Sequence, residues 1–302
     1  MTTKYAIEGK NITKKLKGFN LDIDDLKVPK GFATALIVEN GAGKTTLLNI
    51  LSGLRLDYKG DITFFGRYSD KEKEDNGNVK NRIGYTGTGK YYLPQWTVRD
   101  IENISKILFE DFSEDRFRKY CDELAIFPHG QLDMKKPNSS FSDGMKVKLM
   151  LAGVLSRDTD MLILDEPASP LDPLMRDKLC QLISEYINNG NGEKSVFFST
   201  HNISDMENIT DYAIIMENGQ IVEQGFVEDL KEKYIVIKGD AADTQKAKDI
   251  LYTITTNPYG FEGICLSENL DKLAGLNVTK EIPTLYQISV AVMKNNTKIV
   301  MR

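Results

Sequence analysis

The sequence predicts an α/β fold with a parallel central sheet, and three short apolar segments are the basis of that prediction. Residues 32–38 lead into a glycine-rich loop and then into residues 44–51, whose composition suits a helix. Residues 161–164 and 195–199 are short, apolar and flanked by polar residues, which is typical of buried parallel strands. Ligands of such folds bind at the edge where the strands end, so the residues that follow these segments are the candidates for a site.

Two antiparallel features are predicted on either side of this core. Apolar and polar residues alternate at 19–24, which predicts a half-buried strand. Residues 213–216 and 220–222 predict a hairpin around Asn218-Gly219, a pair that favours a tight turn.

Helical spacing predominates between residues 91 and 155, with segments at 98–109 and 117–124, and it predicts a helical subdomain there. The charged residues 71–81 predict a solvated loop before it.

Beyond about residue 228 the pattern restarts, which predicts a domain at 1–228 followed by a small α+β domain at 229–302. In the second domain, residues 235–237 and 264–266 predict strands, and residues 247–254 have the spacing of an amphipathic helix. A further helix is predicted from Leu285, Ile288 and Val292, after Pro283.

The composition indicates a globular chain that can bury a full core, with 302 residues of which 41% are hydrophobic. The net charge of -5 gives no reason to expect binding to nucleic acid. No apolar run approaches the roughly 18 residues that cross a bilayer, and the first residues lack the apolar core of a signal peptide. We therefore expect a cytoplasmic protein, and any membrane role would have to come from a partner. The cysteines are expected to be buried small hydrophobes: Cys121, Cys180 and Cys265.

A phosphate-binding loop is predicted at residues 38–46, VENGAGKTT. Backbone N–H groups of its glycines can close around phosphate oxygens, and the following helix N-terminus adds partial positive charge. In the general pattern G-x-x-x-x-G-K-[ST], the lysine reaches the β- and γ-phosphates and the next hydroxyl binds magnesium. The predicted nucleotide-binding residues are Asn40, Gly41, Ala42, Gly43, Lys44, Thr45 and Thr46.

Val38 stands where this pattern calls for its first glycine, and the substitution leaves two alternatives. If the position needs a positive φ, a β-branched residue is strained by about 1 to 3 kcal/mol and nucleotide binding is weakened. If Val38 is simply the last residue of the strand, it is unstrained and the affinity is ordinary.

Two carboxylates and a histidine follow the other two predicted strands. Asp165 and Glu166 come directly after residues 161–164, and His201 comes after the strand that begins at residue 195. An aspartate there can hold the water shell of a magnesium ion, and the adjacent glutamate can accept a proton from an attacking water. Strand-end acids are often merely solvated and lone histidines are often structural, but a phosphate loop in the same chain favours the catalytic interpretation.

A further motif lies between the loop and the acidic strand. Residues 141–145, FSDGM, followed by Lys146 and an apolar helix, resemble the LSGGQ signature of ATP-binding cassette (ABC) ATPases. Residues 169–172, SPLD, resemble the D-loop of that family, and His201 matches its switch histidine. The motifs occur in the family's order, and the resemblance covers about residues 4–228.

The resemblance implies a P-loop NTPase of the ABC type. Its parts would be an N-terminal antiparallel β-subdomain, a RecA-like parallel-sheet core, a helical subdomain at about 91–155 and a small α+β C-terminal appendage. In that family two subunits sandwich two nucleotides head to tail. The signature of one subunit then meets the nucleotide of the other, through Ser142, Asp143, Gly144 and Met145, with Asp172 in the D-loop.

The resemblance also implies roles for the residues of the site. Lys44 would hold the β- and γ-phosphates, Thr45 the magnesium ion, and Asp165 the same ion through water. Glu166 would act as the general base and His201 would contact the γ-phosphate. The predicted catalytic residues are therefore Glu166, His201 and Lys44.

The function implied is a cytoplasmic ATPase subunit that uses ATP and Mg²⁺, docks at the inner face of the cell membrane and powers an integral-membrane transporter subunit. Its second partner would be another ABC ATPase subunit, in a homo- or heterodimer. The single cassette and the tail of about 70 residues resemble bacterial ABC-2-type exporters. A non-transport ABC ATPase acting on DNA or ribosomes is an alternative, but it would call for a long coiled coil or two cassettes.

A degenerate subunit with weak turnover is the other alternative, because the chain departs from the family at several positions. Besides Val38, Thr88 stands where the family has a glutamine, and Asp143 replaces a signature glycine. Leu16 stands where the family has an aromatic residue that stacks on adenine, and Tyr5 or Phe19 could substitute for it.

Overall fold

The computed structural model describes residues 4–39, 41–69, 71, 73–87, 91–127 and 133–300. The described strands are β1 (Tyr5–Leu16), β2 (Phe19–Pro29), β3 (Ala33–Val38), β4 (Lys59–Phe64), β5 (Tyr68–Ser69), β6 (Ile83–Thr86), β7 (Met161–Asp165), β8 (Ser195–Thr200), β9 (Tyr212–Glu217), β10 (Gln220–Phe226), β11 (Tyr234–Asp240), β12 (Thr253–Asn257), β13 (Gly260–Leu266) and β14 (Val278–Glu281). The described α-helices are α1 (Lys44–Leu51), α2 (Lys73–Arg82), α3 (Val98–Leu108), α4 (Glu114–Glu123), α5 (Asp143–Leu155), α6 (Pro173–Asn188), α7 (Val227–Lys233), α8 (Thr244–Ala247) and α9 (Leu285–Val300).

The first sheet is antiparallel, with the strand order β2-β1-β4-β5. The alternation noted at 19–24 holds, because Leu21 and Ile23 are buried while Asp22 and Asp24 are exposed. The strand continues beyond the predicted segment to Pro29, so the prediction of a strand is confirmed and its length was underestimated.

The second sheet has six strands in the order β10-β9-β3-β8-β7-β6, and its neighbours from β9 to β6 are parallel. Every residue of β3, β7 and β8 is buried, which explains their continuous apolar sequences. Since β8 lies between β3 and β7, the loops after these three strands meet at one edge. The predicted hairpin is confirmed as β9 and β10, which join at Asn218-Gly219 with both residues at positive φ.

The region between residues 91 and 155 contains α3, α4 and α5, as its helical spacing predicts. Helix α3 begins at a capping box, in which the Thr97 side chain accepts from the Asp100 N–H and Asp100 bonds back to the Thr97 backbone. Helix α4 packs on α5 through buried residues that include Phe117 and Cys121.

Two local predictions are wrong. The charged segment 71–81 is not a loop, since α2 occupies most of it and Val79, 1% exposed, anchors this helix against the protein. The helix expected at 247–254 ends at Ala247, and Ile254 lies instead in β12, opposite Gly263. The β-branched run 253–256 favours a strand where the edge of β13 offers a partner.

The third sheet is antiparallel, with the order β12-β13-β11-β14, and it confirms the strands predicted at 235–237 and 264–266. Helix α9, also predicted, lies between this sheet and the six-stranded sheet, and it contacts β9, β10, α7 and β13. Leu285 and Ile288 are fully buried in the same apolar cluster as Ala35 and Leu164. One core therefore runs from the central sheet into the C-terminal region.

All three cysteines are buried and free of disulfides, in agreement with the sequence. Among the described residues, no helix has both the length and the apolar character that crossing a bilayer demands.

Candidate functional site

Two glycines of the loop between β3 and α1 have backbone conformations that favour glycine. Gly41 and Gly43 have φ values of 87° and 100°, in the left-handed region that favours glycine. A Cβ at Gly43 would come within 2.4 Å of the Phe19 ring, so a side chain there is excluded by space as well. Lys44 begins α1 and Thr45 is exposed beside it, at the positive end of the helix.

Val38 is an ordinary strand residue. It is 2% exposed, pairs with Met216 of β9, and is not among the described non-glycine residues with positive φ. The alternative of a strained valine is therefore excluded, and the loop proper starts after it.

We predict that Val38→Gly does not tighten ATP binding and instead destabilises the protein by about 2 to 3 kcal/mol. The glycine loses a buried side chain and adds backbone freedom to the unfolded chain. Calorimetric titration with ATP and thermal unfolding of both proteins check this prediction. A tenfold gain in affinity would show that a glycine is needed at this position.

The side chains of Lys44, Asp165 and Glu166 meet at the carboxyl edge of the sheet. Lys44 Nζ lies 2.5 Å from Glu166 Oε1 and 3.5 Å from Asp165 Oδ1. The Asp165 side chain is 1% exposed and that of Glu166 is 10% exposed, so the ammonium group offsets two nearly buried negative charges. Burial, reinforced by the charge of Asp165, also raises the pKa of the neighbouring Tyr85 to about 12.

His201 and Ser199 complete this cluster. His201 Nδ1 lies 2.7 Å from Glu166 Oε2, with the imidazole about half exposed. Ser199 Oγ donates to Asp165 Oδ1 at 2.7 Å and accepts from the Glu166 N–H at 3.0 Å. Glu166 itself adopts a φ of 50°, an uncommon conformation for a non-glycine residue, and its contacts hold it there.

The donor set of this site fits a magnesium ion. Magnesium keeps several waters and takes only one or two carboxylates, so a large cluster of acids is not needed. Among the described residues no group of three or more potential His, Cys, Asp or Glu ligands occurs. The exposed Thr45 hydroxyl and the carboxylate of Asp165 are oxygen donors of the kind that such an ion uses.

The signature residues cap helix α5. Ser142 is its N-cap, and its hydroxyl accepts from the Met145 N–H at 3.2 Å. The Asp143 side chain is 90% exposed and pairs with Lys146 at 3.0 Å, so its charge is countered within the same helical turn. A Cβ at Gly144 would lie 2.9 Å from the carbonyl oxygen of Pro170, which brings the signature helix against the D-loop.

Asp172 ends this D-loop as the N-cap of α6, where it accepts from the Met175 N–H at 3.1 Å. A cavity of about 640 Å³ lies between the cluster of Lys44, Asp165, Glu166 and His201 and the helix α5. Its polar end is lined by Lys44, Asp165, Glu166 and His201. The sequence-predicted catalytic residues and signature Asp143 therefore face a common cavity.

The remaining positions singled out in the sequence are as follows. Asn40, Thr88 and His129 lie outside the described residues. Phe19 packs against Gly43 and the adjacent Met216, so its ring supports the glycine loop.

Sequence reasoning missed Ser199, which bonds to both carboxylate residues. A serine near the end of an apolar strand was the available signal, but its partners follow only from the pairing of β7 with β8. It also missed Asn138, a buried residue of the same cavity whose side-chain amide bonds to the carbonyl oxygen of Tyr92 at 3.1 Å.

A family model described as "ABC transporter" matches residues 21–169 of this chain. That range contains the glycine loop, the signature and both acids, whereas Asp172 and His201 lie beyond it.

Two curated proteins illustrate the similarity. The energy-coupling factor transporter ATP-binding protein EcfA2 of Methanospirillum hungatei is 29% identical over 68% of this chain, and the match spans 50% of that protein. The bacitracin transport ATP-binding protein BcrA of Enterococcus faecalis is 28% identical over 83% of this chain and 79% of its own length.

Solved structures of low identity share the fold. An ATP-binding subunit of an ABC transporter superposes with a TM-score of 0.64 at 22% identity, covering 75% of this chain and 92% of that one. The cassette MJ0796, solved as a dimer in a post-hydrolysis state with ADP and Pi, gives a TM-score of 0.61 at 19% identity over 73% of this chain and 98% of its own.

Proposed function

We propose that the chain is an ATP-binding subunit of the ABC transporter family and that the residues of this site bind and hydrolyse ATP. The observation that carries the proposal is the contact network of Lys44, Asp165, Glu166 and His201 at one sheet edge. In this proposal residues 1–228 form the nucleotide-binding domain, with its helical subdomain at about 91–155. Residues 229–302 form the smaller domain.

Binding of the triphosphate is assigned to the glycine loop and the start of α1. Backbone N–H groups from Gly41 to Thr46 surround the phosphates, and Lys44 neutralises the β- and γ-phosphates. Asn40 and Ala42 belong to the same loop. A phosphate at Lys44 competes with Glu166 for the ammonium group, which leaves the carboxylate of Glu166 to act on water.

A magnesium ion bound with ATP would neutralise charge on the β- and γ-phosphate oxygens. Thr45 would hold it through its hydroxyl and Asp165 through a water molecule. Ser199 orients this carboxylate by donating to Asp165 Oδ1.

Hydrolysis is assigned to Glu166 and His201. Glu166 accepts a proton from the attacking water at its carboxylate, in the role of general base. His201 bonds to the other carboxylate oxygen through Nδ1, so it orients Glu166 and brings its imidazole to the γ-phosphate end of the cavity.

The partner subunit is proposed to be a second ABC ATPase chain. The N-terminus of α5, from Ser142 to Met145, would meet the nucleotide held by the other subunit through its exposed residues Ser142 and Asp143, and Asp172 would lie at the contact. ATP then joins the two subunits, and loss of the γ-phosphate contacts lets them separate.

We predict that the purified chain releases phosphate from ATP when magnesium is present, and that excess EDTA reduces the rate to background. The reason is that EDTA removes the magnesium ion, which would otherwise neutralise the negative charge of the phosphates beside Asp165. A phosphate-release assay at matched ionic strength checks this. Release that persists unchanged in EDTA contradicts the magnesium assignment.

A membrane subunit is proposed to dock beside residues 86–96. Tyr91 and Leu93 in that segment are 40% and 48% exposed, although both are large and apolar. Gly87, Tyr91, Tyr92 and Pro94 of this segment also line the cavity, so a partner seated beside them is placed to sense the nucleotide. This contact would hold the chain at the inner face of the cell membrane.

We predict that Leu93→Asp removes the stimulation of ATP hydrolysis by the membrane subunit in proteoliposomes, because a charge is placed in an apolar contact. The matched control is Tyr259→Asp, at a 90% exposed residue next to β13. Equal stimulation of Leu93→Asp and the parent chain would contradict docking at this segment.

The transporter is proposed to be an exporter of the ABC-2 type. Support comes from the match to BcrA, which extends over 83% of this chain and thus beyond the cassette. The degenerate subunit is not favoured, because Val38 is unstrained and the charge of Asp143 is paired with Lys146.

A further inference from the structure

One arginine joins the two loops that carry the candidate base and the candidate switch histidine. Glu166 begins the loop after β7, and His201 begins the loop after β8. Arg176, in the first turns of α6, donates from Nε to the Leu171 carbonyl oxygen at 2.9 Å and from Nη1 to Asp205 Oδ1 at 2.7 Å. One side chain therefore holds both loops through two charge-assisted hydrogen bonds.

The loop after β7 is a succession of short turns between Glu166 and Arg176. The Ser169 N–H donates to the carbonyl oxygen of Glu166 at 3.2 Å, and the Leu171 N–H donates to that of Ala168 at 3.1 Å. The carbonyl oxygen of Leu171 then accepts from the guanidinium group. A displacement of Leu171 is therefore passed along the turns to the backbone of Glu166.

The loop after β8 is held from the other side. The Asp205 N–H donates to the carbonyl oxygen of Asn202 at 3.3 Å, and the preceding residue His201 contacts Glu166 through Nδ1. Together with Arg176, the two loops form a closed circuit of contacts. The arginine closes it at one end and the Glu166–His201 contact closes it at the other.

A second cation on the same helix provides a comparison. Lys178 Nζ lies 2.8 Å from Glu123 Oε2, and its side chain is 27% exposed against 29% for Arg176. This pair joins α6 to the end of α4 and includes neither catalytic loop. Lys178 is therefore about as exposed as Arg176 but does not connect the loops after β7 and β8.

We propose that Arg176 is a positioning residue that sets the separation of Glu166 and His201 during ATP hydrolysis, an inference that rests on the proposed function. The planar guanidinium group holds two acceptors at fixed angles, which the single ammonium of a lysine cannot do. A displacement of about 1 Å from the productive geometry costs about 100-fold in rate. ATP binding is expected to persist, because the described bonds of Arg176 do not reach the loop around Lys44.

The test compares Arg176→Ala, Arg176→Lys and the control Lys178→Ala in the full chain. The readouts are kcat, KM for ATP, and the proton–carbon NMR signal of the His201 ring, for which His129, the one other histidine, is the internal reference. In Arg176→Ala we expect kcat to fall about 10- to 100-fold, KM to change less than about twofold, and the His201 signal to move. Arg176→Lys recovers part of the kcat, and Lys178→Ala changes none of the three.

The proposal is overturned if kcat of Arg176→Ala stays within about twofold of the parent value, or if only its KM changes. It is also overturned if kcat of Lys178→Ala falls as much as that of Arg176→Ala. Where Arg176→Ala does not fold, Arg176→Lys decides, and an unchanged kcat there overturns the proposal. Failure of the proposed function is distinguishable, since the parent chain would then release no phosphate. The His201 signal would still report whether Arg176 positions its loop.

Discussion

In the Glu166→Gln variant, ATP turnover falls by about 10²- to 10⁴-fold while ATP binding is retained. The amide cannot accept a proton from water, but it has nearly the shape of the carboxylate. Its oxygen can still accept from Lys44, and its position beside His201 is kept. The geometry of the site is therefore preserved while one chemical capacity is removed.

This result is measured by single-turnover hydrolysis and by calorimetric titration with ATP. Light scattering or gel filtration would in addition show an ATP-bound dimer that no longer dissociates. The matched control is Glu193→Gln. Glu193 lies just before β8, is 60% exposed and pairs with Lys30. Turnover of Glu166→Gln equal to that of the control would refute the role of Glu166 as the base.

In the Lys44→Ala variant, ATP affinity falls by about 10- to 100-fold, because hydrogen bonds to charged groups contribute about 1.5 to 3 kcal/mol each. The protein also becomes less stable. Removing one partner of a buried ion pair costs about 3 to 5 kcal/mol, and the 15% exposure of Lys44 places this variant toward the lower end. The loss arises because the ammonium group that contacts both the Asp165 and the Glu166 carboxylates is removed.

Two comparisons separate these effects. Lys14→Ala removes a lysine with the same 15% exposure, but its partner Asp57 is 67% exposed, so it should change neither affinity nor stability appreciably. Adding Glu166→Gln to Lys44→Ala removes one of the two neighbouring negative charges and should restore part of the stability. ATP affinity of Lys44→Ala equal to that of the parent would contradict the assignment of Lys44 to the phosphates.

Local chemistry made much of the candidate site predictable. The glycine loop, the acids at the end of β7 and the turn at Asn218-Gly219 each depend on residues adjacent in sequence, and the structure places them as expected. The strand at 19–24 was predictable for the same reason, because period-two alternation is itself a local property.

Long-range packing was the part that local patterns could not provide. Arg176 meets Asp205 across 29 positions of sequence, and nothing in either neighbourhood predicts that pair. The segment 247–254 has helical spacing, but its last residues, from Thr253, pair with β13 and form β12. The position of α9 against the central sheet likewise depends on surfaces that form only in the folded chain.

The placement of α9 has a consequence for folding during synthesis on the ribosome. Ala35 of the central sheet and Ile288 of α9 belong to one apolar cluster, although about 250 residues separate them in sequence. At roughly 5 to 20 residues per second, a ribosome needs on the order of ten to fifty seconds to make that stretch. The sheet around β3 can form only after β8 and β9 have been made, and until α9 follows it lacks the helix that covers it in the folded chain. Apolar surface exposed in this way favours aggregation of the chain during its synthesis.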